Sequence, residues 1–172
     1  MVDETLVPQF RDSTYKTQID RKNDFLKICL FDIWLSNEDR CSNNTNLILD
    51  KSVKGEFRFT VFDHGALFNT SRLSQGLAII TEEDSLISSD FALALFRSKH
   101  KMPEITQEVV KDFYICVDRC QQNLVQILDN IPEEWNVNRD RLTALLSESI
   151  FTDKWLQECE KQFRYLTQKF LS

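Results

Sequence analysis

The chain has 172 residues, 42% hydrophobic and 11% aromatic, with only three glycines and three prolines. It is long and apolar enough to bury a core, which excludes a disordered chain, and so little glycine and proline argues against an all-β sandwich. The net charge of −6 argues against broad, non-specific nucleic-acid binding, and no apolar run reaches the about 18 residues that a membrane span needs.

Residues 1–14 read as a tail. They hold Asp3 and Glu4 and no basic stretch, so they do not form a secretory signal, and a cytoplasmic location is the expectation. Tyr15 to Leu35 reads as a helix. Its second half, from Phe25 through Ile28, Phe31 and Trp34, is apolar on almost every side, which predicts a helix buried all round. Ser36 to Thr45 is a loop dense in Asn and Asp, residues whose side chains compete for backbone hydrogen bonds. Asn46 to Asp50 and Glu56 to Asp63 read as two short strands, because Phe57, Phe59 and Val61 alternate with Arg58 and Thr60. Lys51 to Gly55 turns between them, with Gly55 free to take a positive φ.

After Gly65 the pattern is irregular until about Ser89. A short helix is expected over Asp90 to Ser98, broken by Met102 and Pro103. The spacing of Val109, Phe113, Cys116, Val117, Cys120, Leu124 and Ile127 predicts one long helix over Ile105 to Asn130. Pro132 starts a short segment to Trp135, and Leu142, Leu145, Leu146 and Ile150 mark another helix. Thr152 is placed to cap a last helix, with Asp153 beside it favoured by the helix dipole. There is no internal repeat and no low-complexity segment.

The expected fold is therefore mainly α (α+β), with one small antiparallel β-hairpin, in a single domain over 1–172. The tail covers 1–14, the helix, loop and hairpin 15–70, and a helical region 71–172. The odd number of cysteines fits reduced thiols, buried at Cys29, Cys116, Cys120 and Cys159. Two histidines and no Cys-x-x-Cys pair make a zinc site weak. Asn43 and Asn69 match the glycosylation pattern but carry little weight without a signal.

The order of elements has a chemical use. A buried helix fixes the loop "SNEDRCSNNTN", and a hairpin returns the chain so that a second carboxylate, in "FDHG", lands beside the first. Hard oxygens of Asn and Asp suit magnesium, which keeps several waters and binds nucleotide phosphates. A carboxylate not bound to the metal can orient a hydroxyl and accept its proton. The candidates are Asp39 as the first carboxylate, Asn46 or Asn44 as the amide, and Asp63 as the second carboxylate. Asp63 follows the apolar Phe62, where an unpaired carboxylate is costly, so it should have a partner or a metal.

This arrangement resembles the catalytic half of protein-kinase-like folds. More narrowly, "WLSNEDR…NLIL…FTVFDHGALF" is similar to the HipA-like kinase family, and "IPEEW" at Ile131 to Trp135 is similar to the helical tail of that family. The resemblance implies Asp39 as catalytic base, with Arg40 holding a phosphate or bracing the loop. It implies Asn46 as the metal-binding amide, directly before the strand, with Asn44 competing because it lies five residues after Asp39. Asp63 resembles the aspartate that chelates Mg2+ between the phosphates of ATP. His64 takes the place of a Phe in the common kinase turn, and Gly65 is expected to let the chain turn.

A working kinase also needs a glycine-rich loop and a strand lysine. The glycines are Gly55, Gly65 and Gly76, and Lys16, Lys22 and Lys27 lie in helix-like sequence. The expectation is a C-terminal lobe alone, its N-terminal lobe absent. It would be a fragment, a half completed by an N-lobe partner protein or by homo-oligomerisation, or a remnant that binds without catalysis. Two rival readings are a non-catalytic helical interaction module and, more weakly, a phosphohydrolase using Asp39, Asp63 and His64.

Overall fold

The computed structural model describes residues 15–51, 56–96 and 102–171. The tail, most of the expected Lys51–Gly55 turn and the end of the expected Asp90–Ser98 helix lie outside the described residues. The elements run α1 (Tyr15–Trp34), β1 (Leu47–Lys51), β2 (Phe57–Val61), a helical turn at Leu67–Ser71, a 3-10 turn at Leu86–Ser88 and α2 (Asp90–Leu95). They continue with α3 (Met102–Gln122), α4 (Leu124–Leu128), a 3-10 turn at Glu133–Trp135, α5 (Arg139–Ser149) and α6 (Asp153–Leu171). The architecture is mainly helical with one two-stranded antiparallel sheet, as the sequence pattern predicts.

Helix α1 is the axis of the core and packs against α3, α6 and β2. Phe25, Leu26, Cys29, Leu30, Ile33 and Trp34 are all buried. Trp34 closes the helix against the end of the chain. Its indole N–H donates to Ile150 O at 2.8 Å, and its own carbonyl accepts from Trp155 Nε1 at 2.9 Å. Both buried indoles thus have the partner that an N–H removed from water requires. The helix is not buried all round, however. Phe31 is 37% exposed and lines a mostly apolar groove of about 350 Å³ between α1, α3 and β2, with Trp34, Val61, His64, Val109 and Phe113.

The hairpin pairs Leu47 with Val61, Leu49 with Phe59 and Lys51 with Phe57. Leu47, Leu49 and Phe57 are buried, as the two-residue period requires of one face. Phe59 meets Phe25 of α1 at 6.0 Å and Phe91 of α2 at 6.1 Å between ring centroids, both edge-on. Such contacts each add about 0.5–1.5 kcal/mol beyond burial and fix the hairpin on the helices.

Several helix ends are capped by side chains. Ser89 Oγ accepts from Ala92 N at 3.1 Å and Asn138 Oδ1 from Arg141 N at 2.9 Å. Thr152 Oγ1 accepts from Trp155 N at 3.3 Å, at the expected cap of α6. Met102 and Pro103 open α3 instead of breaking a helix. In the first turn a proline forfeits no helical hydrogen bond, and its fixed φ suits the helix. The expected Ile105–Asn130 helix is interrupted at Asn123, whose Nδ2 donates to Arg119 O at 2.8 Å and whose backbone leaves the helical region. An amide that bonds back to the preceding turn competes with the main chain. Cys29 and Cys159 are buried, but Cys116 is exposed and Cys120 half-buried, and all five thiols are free.

Candidate functional site

The site grows from the last turn of α1. Asp32 lies in the run Cys29–Leu35, where it is 1% exposed. The helix stops as Ser36 takes a left-handed φ of 50°, and Asn37 N–H donates back to Asp32 O at 2.9 Å. The loop then folds on itself, with Cys41 N–H donating to Asn44 O at 3.0 Å.

This loop gathers two of the expected amides around one expected carboxylate, Asp39. Asn44 Nδ2 donates to Asp39 Oδ1 at 2.9 Å, and Asn46 Nδ2 donates to Asp39 Oδ2 at 2.7 Å. Each amide turns its nitrogen to Asp39, so its carbonyl oxygen faces away from that carboxylate. Asn46 is buried and Asn44 exposed. Asn46 also takes a left-handed φ of 38°, and its carbonyl accepts from Phe62 N–H at 3.2 Å. That bond extends the hairpin pairing past Leu47 and brings the chain just before Asp63 alongside Asn46.

Asp63 is exposed and left-handed, with a φ of 53°. Its Oδ1 accepts from Gly65 N–H at 3.3 Å. Gly65 is not the left-handed residue of the turn; Asp63 is. A Cβ at position 65 would stand 3.4 Å from Asp63 Oδ1, an ordinary contact. The turn therefore places its conformational strain on the aspartate itself, where a left-handed non-glycine backbone costs on the order of 1 kcal/mol.

Arg40 has no exposed surface. Its Nη1 is ion-paired to Asp32 Oδ1, and its Nη2 donates to Phe62 O at 3.1 Å and faces His64 Nε2 at 3.3 Å. A guanidinium only donates, so this contact is a hydrogen bond when His64 Nε2 is the acceptor and the ring proton sits on Nδ1. Burial and the neighbouring Arg40 charge lower the His64 pKa, partly opposed by Asp63. Burial raises the Asp32 carboxyl to about 6, against the pull of Arg40 and Asn37. Of the two roles expected for Arg40, this geometry favours bracing the loop over holding a phosphate.

Two residues of this assembly were not placed in the site from the sequence. Asp32 carries the signal that drew attention to Asp63, a carboxylate between apolar neighbours that must find a partner. Asn69 is the other. Its Nδ2 donates to Glu38 Oε1 at 2.6 Å, its Oδ1 accepts from Ala78 N–H at 2.7 Å, and its own N–H donates to Ser36 O at 3.0 Å. Phe68, Asn69 and Thr70 are all left-handed. Asn69 is 2% exposed, so the glycosylation pattern there has no accessible acceptor.

Oxygen donors of the kind magnesium takes stand in the loop and in the turn. The chemistry fits a partial, water-rich coordination: the outward amide oxygen of Asn46, that of Asn44 as its rival, and the exposed Asp63 carboxylate are hard oxygen donors. Among the described residues no three His, Cys, Asp or Glu side chains form a metal cluster, so Asp39, Asp63 and His64 do not make the centre a phosphohydrolase needs. No helix among the described residues is long and apolar enough to cross a membrane.

A family model described as HipA-like kinase matches residues 9–165. Neither the curated proteins nor the solved structures gave a match. With the match covering most of its length, the chain belongs to the HipA-like kinase family.

Proposed function

We propose that this chain carries the phosphoryl-transfer site of a HipA-like kinase, with ATP as donor and a hydroxyl group as acceptor. The observation that carries the reading is the double clasp of Asn44 and Asn46 on Asp39, linked through the Asn46–Phe62 backbone bond to the Asp63 turn. Asp39, partly exposed and held at both oxygens, is oriented to accept a hydroxyl proton. Asn46 and Asp63 would hold the metal. When bound, magnesium supplies charge neutralisation on the ATP phosphates. Arg40 fixes the loop and the turn to each other from within the core.

The same reading expects little or no transfer by this chain alone. Its three glycines make no phosphate-cradling loop. Lys16, Lys22 and Lys27 all fall in α1; Lys22 stands over the Phe96 ring at 5.5 Å and Lys27 pairs with Asp112 at 2.7 Å. Without donors aimed at the transferring phosphate, most transition-state stabilisation is missing. An N-terminal lobe, or a second copy of the chain, would complete the site, in the cytoplasm.

Thermal unfolding with magnesium and ATP tests this. Ligand at 100 times its dissociation constant adds about 2.7 kcal/mol, so the melting temperature rises in the wild type and not in Asp63→Ala. The absence of any shift at millimolar ligand would favour a non-catalytic interaction module. One observation favours that second reading: Trp135 is 67% exposed, and on α4 Val125 is 63% and Ile127 48% exposed.

A further inference from the structure

The carboxylate most deeply placed in the site is neither Asp39 nor Asp63. Asp32 is buried on α1 and shares one oxygen, Oδ1, between Arg40 Nη1 and Asn37 Nδ2, the latter at 2.9 Å. The other nitrogen of that guanidinium reaches across to Phe62 O and His64 Nε2, which flank Asp63 on both sides. A single planar group thus connects the core helix to the two residues that bracket the exposed, left-handed aspartate.

The surrounding polar atoms show that this connection is a built feature of the core. Asp32 Oδ2, Asn37 Oδ1 and Arg40 Nε are buried without a hydrogen-bond partner among the described residues, as is Ser36 Oγ. The first three each belong to a functional group that is already bonded at Asp32 Oδ1. Two of these three are acceptors and one is a donor. A core stabilised only by packing has no need of an aspartate, an asparagine and an arginine here, because apolar groups of like volume are as stable or more so.

We propose that Asp32 is the positioning residue of the site, acting through Arg40 on the turn that carries Asp63. The inference rests on the kinase reading only for what the turn does, not for the connection itself. Asp32 is buried, out of reach of a nucleotide or metal at the surface. It fixes the guanidinium, the guanidinium fixes Phe62 O and His64, and Asp63 is held in its strained conformation between them. Around His64 the charged groups are Arg40, Asp63 and the Lys27–Asp112 pair across the groove.

Nitrogen NMR of the imidazoles at a fixed pH near neutrality tests the proposal on the full chain, which has only two histidines, His64 and His100. In the wild type, His64 is expected as the Nδ1–H tautomer with Nε2 accepting. Asp32→Asn is expected to shift the His64 nitrogen signals, leave those of His100 in place and weaken magnesium–ATP binding by about 10- to 100-fold. Asp32→Glu should restore part of both effects. A wild-type His64 protonated on Nε2 would overturn the proposal, and this measurement needs no variant to fold. So would a folded Asp32→Asn protein with unchanged His64 signals and unchanged binding. If the wild type binds no magnesium–ATP, the kinase reading fails, while the tautomer and the His64 shift still decide the positioning role.

Discussion

Asn46 places its side-chain nitrogen 2.7 Å from Asp39 Oδ2, while Asn44 holds the other oxygen of the same carboxylate at 2.9 Å. The two amides compete for one role, and their surroundings differ. Asn46 is buried, left-handed and bonded through its carbonyl to Phe62 N–H, whereas Asn44 is exposed. Asn46→Ala is therefore expected to weaken magnesium–ATP binding at least about tenfold, with Asn44→Ala costing less, because only Asn46 is fixed beside the Asp63 turn. Calorimetric titration of both variants checks the order. The reverse order would assign the metal-facing amide to Asn44.

Asp32 predicts a pH dependence whose sign is set by its raised pKa. Its folded value, about 6, lies above the 3.8 of the free side chain. The folded state therefore binds the proton more tightly, and the stability this contributes is complete below about pH 4 and lost as pH rises through about 6. Relative to Asp32→Asn, the wild type should lose up to about 3 kcal/mol between pH 4 and pH 7. Denaturant unfolding of both proteins across that range measures it. A flat difference would show that Arg40 fully offsets the burial of Asp32.

Trp34 and Trp155 join the two ends of the described chain through main-chain acceptors 116 and 121 residues away. Trp155→Phe keeps most of the ring volume but leaves the buried Trp34 carbonyl without its donor. The expected cost is about 1–3 kcal/mol, read from urea unfolding, and a change within about 0.5 kcal/mol would place this bond outside the folding core.

Phe59 couples the hairpin to α1 and α2 through its edge-on contacts with Phe25 and Phe91. Phe59→Ala should destabilise the fold by about 3 kcal/mol, the lower part of the range for buried Phe, because Phe59 is only partly buried. Amide exchange should rise first in β1 and β2. Uniform loss of protection across all helices would show that the hairpin does not open as a separate unit.

The sequence made the larger plan readable for physical reasons. Apolar residues at helical spacing placed α1, α3 and α6, and the alternation at Phe57, Phe59 and Val61 placed β2. The order of loop, hairpin and aspartate was enough to gather Asp39, Asn44 and Asn46. What remained hidden was set by the contacts of single side chains. The break at Asn123 depends on one side chain bonding back to Arg119, and Pro103 serves a helix start as readily as a helix end. The turn strain sits on Asp63 and not on Gly65, because the Asn46–Phe62 bond and Arg40 hold the chain there. Asp32 finds its partner Arg40 only through the fold of the loop, eight residues on.

The central claim is that Asn46 and Asp63 face a common metal. Manganese, added with ATP in place of magnesium to the 15N-labelled chain, reports on it through distance-dependent broadening of nearby amide signals. The account predicts selective loss of the Asn44–Leu47 and Phe62–Gly65 signals, with α4 and the end of α6 untouched, and no such pattern in Asp63→Ala. Broadening centred elsewhere, or none with ATP present, would contradict it.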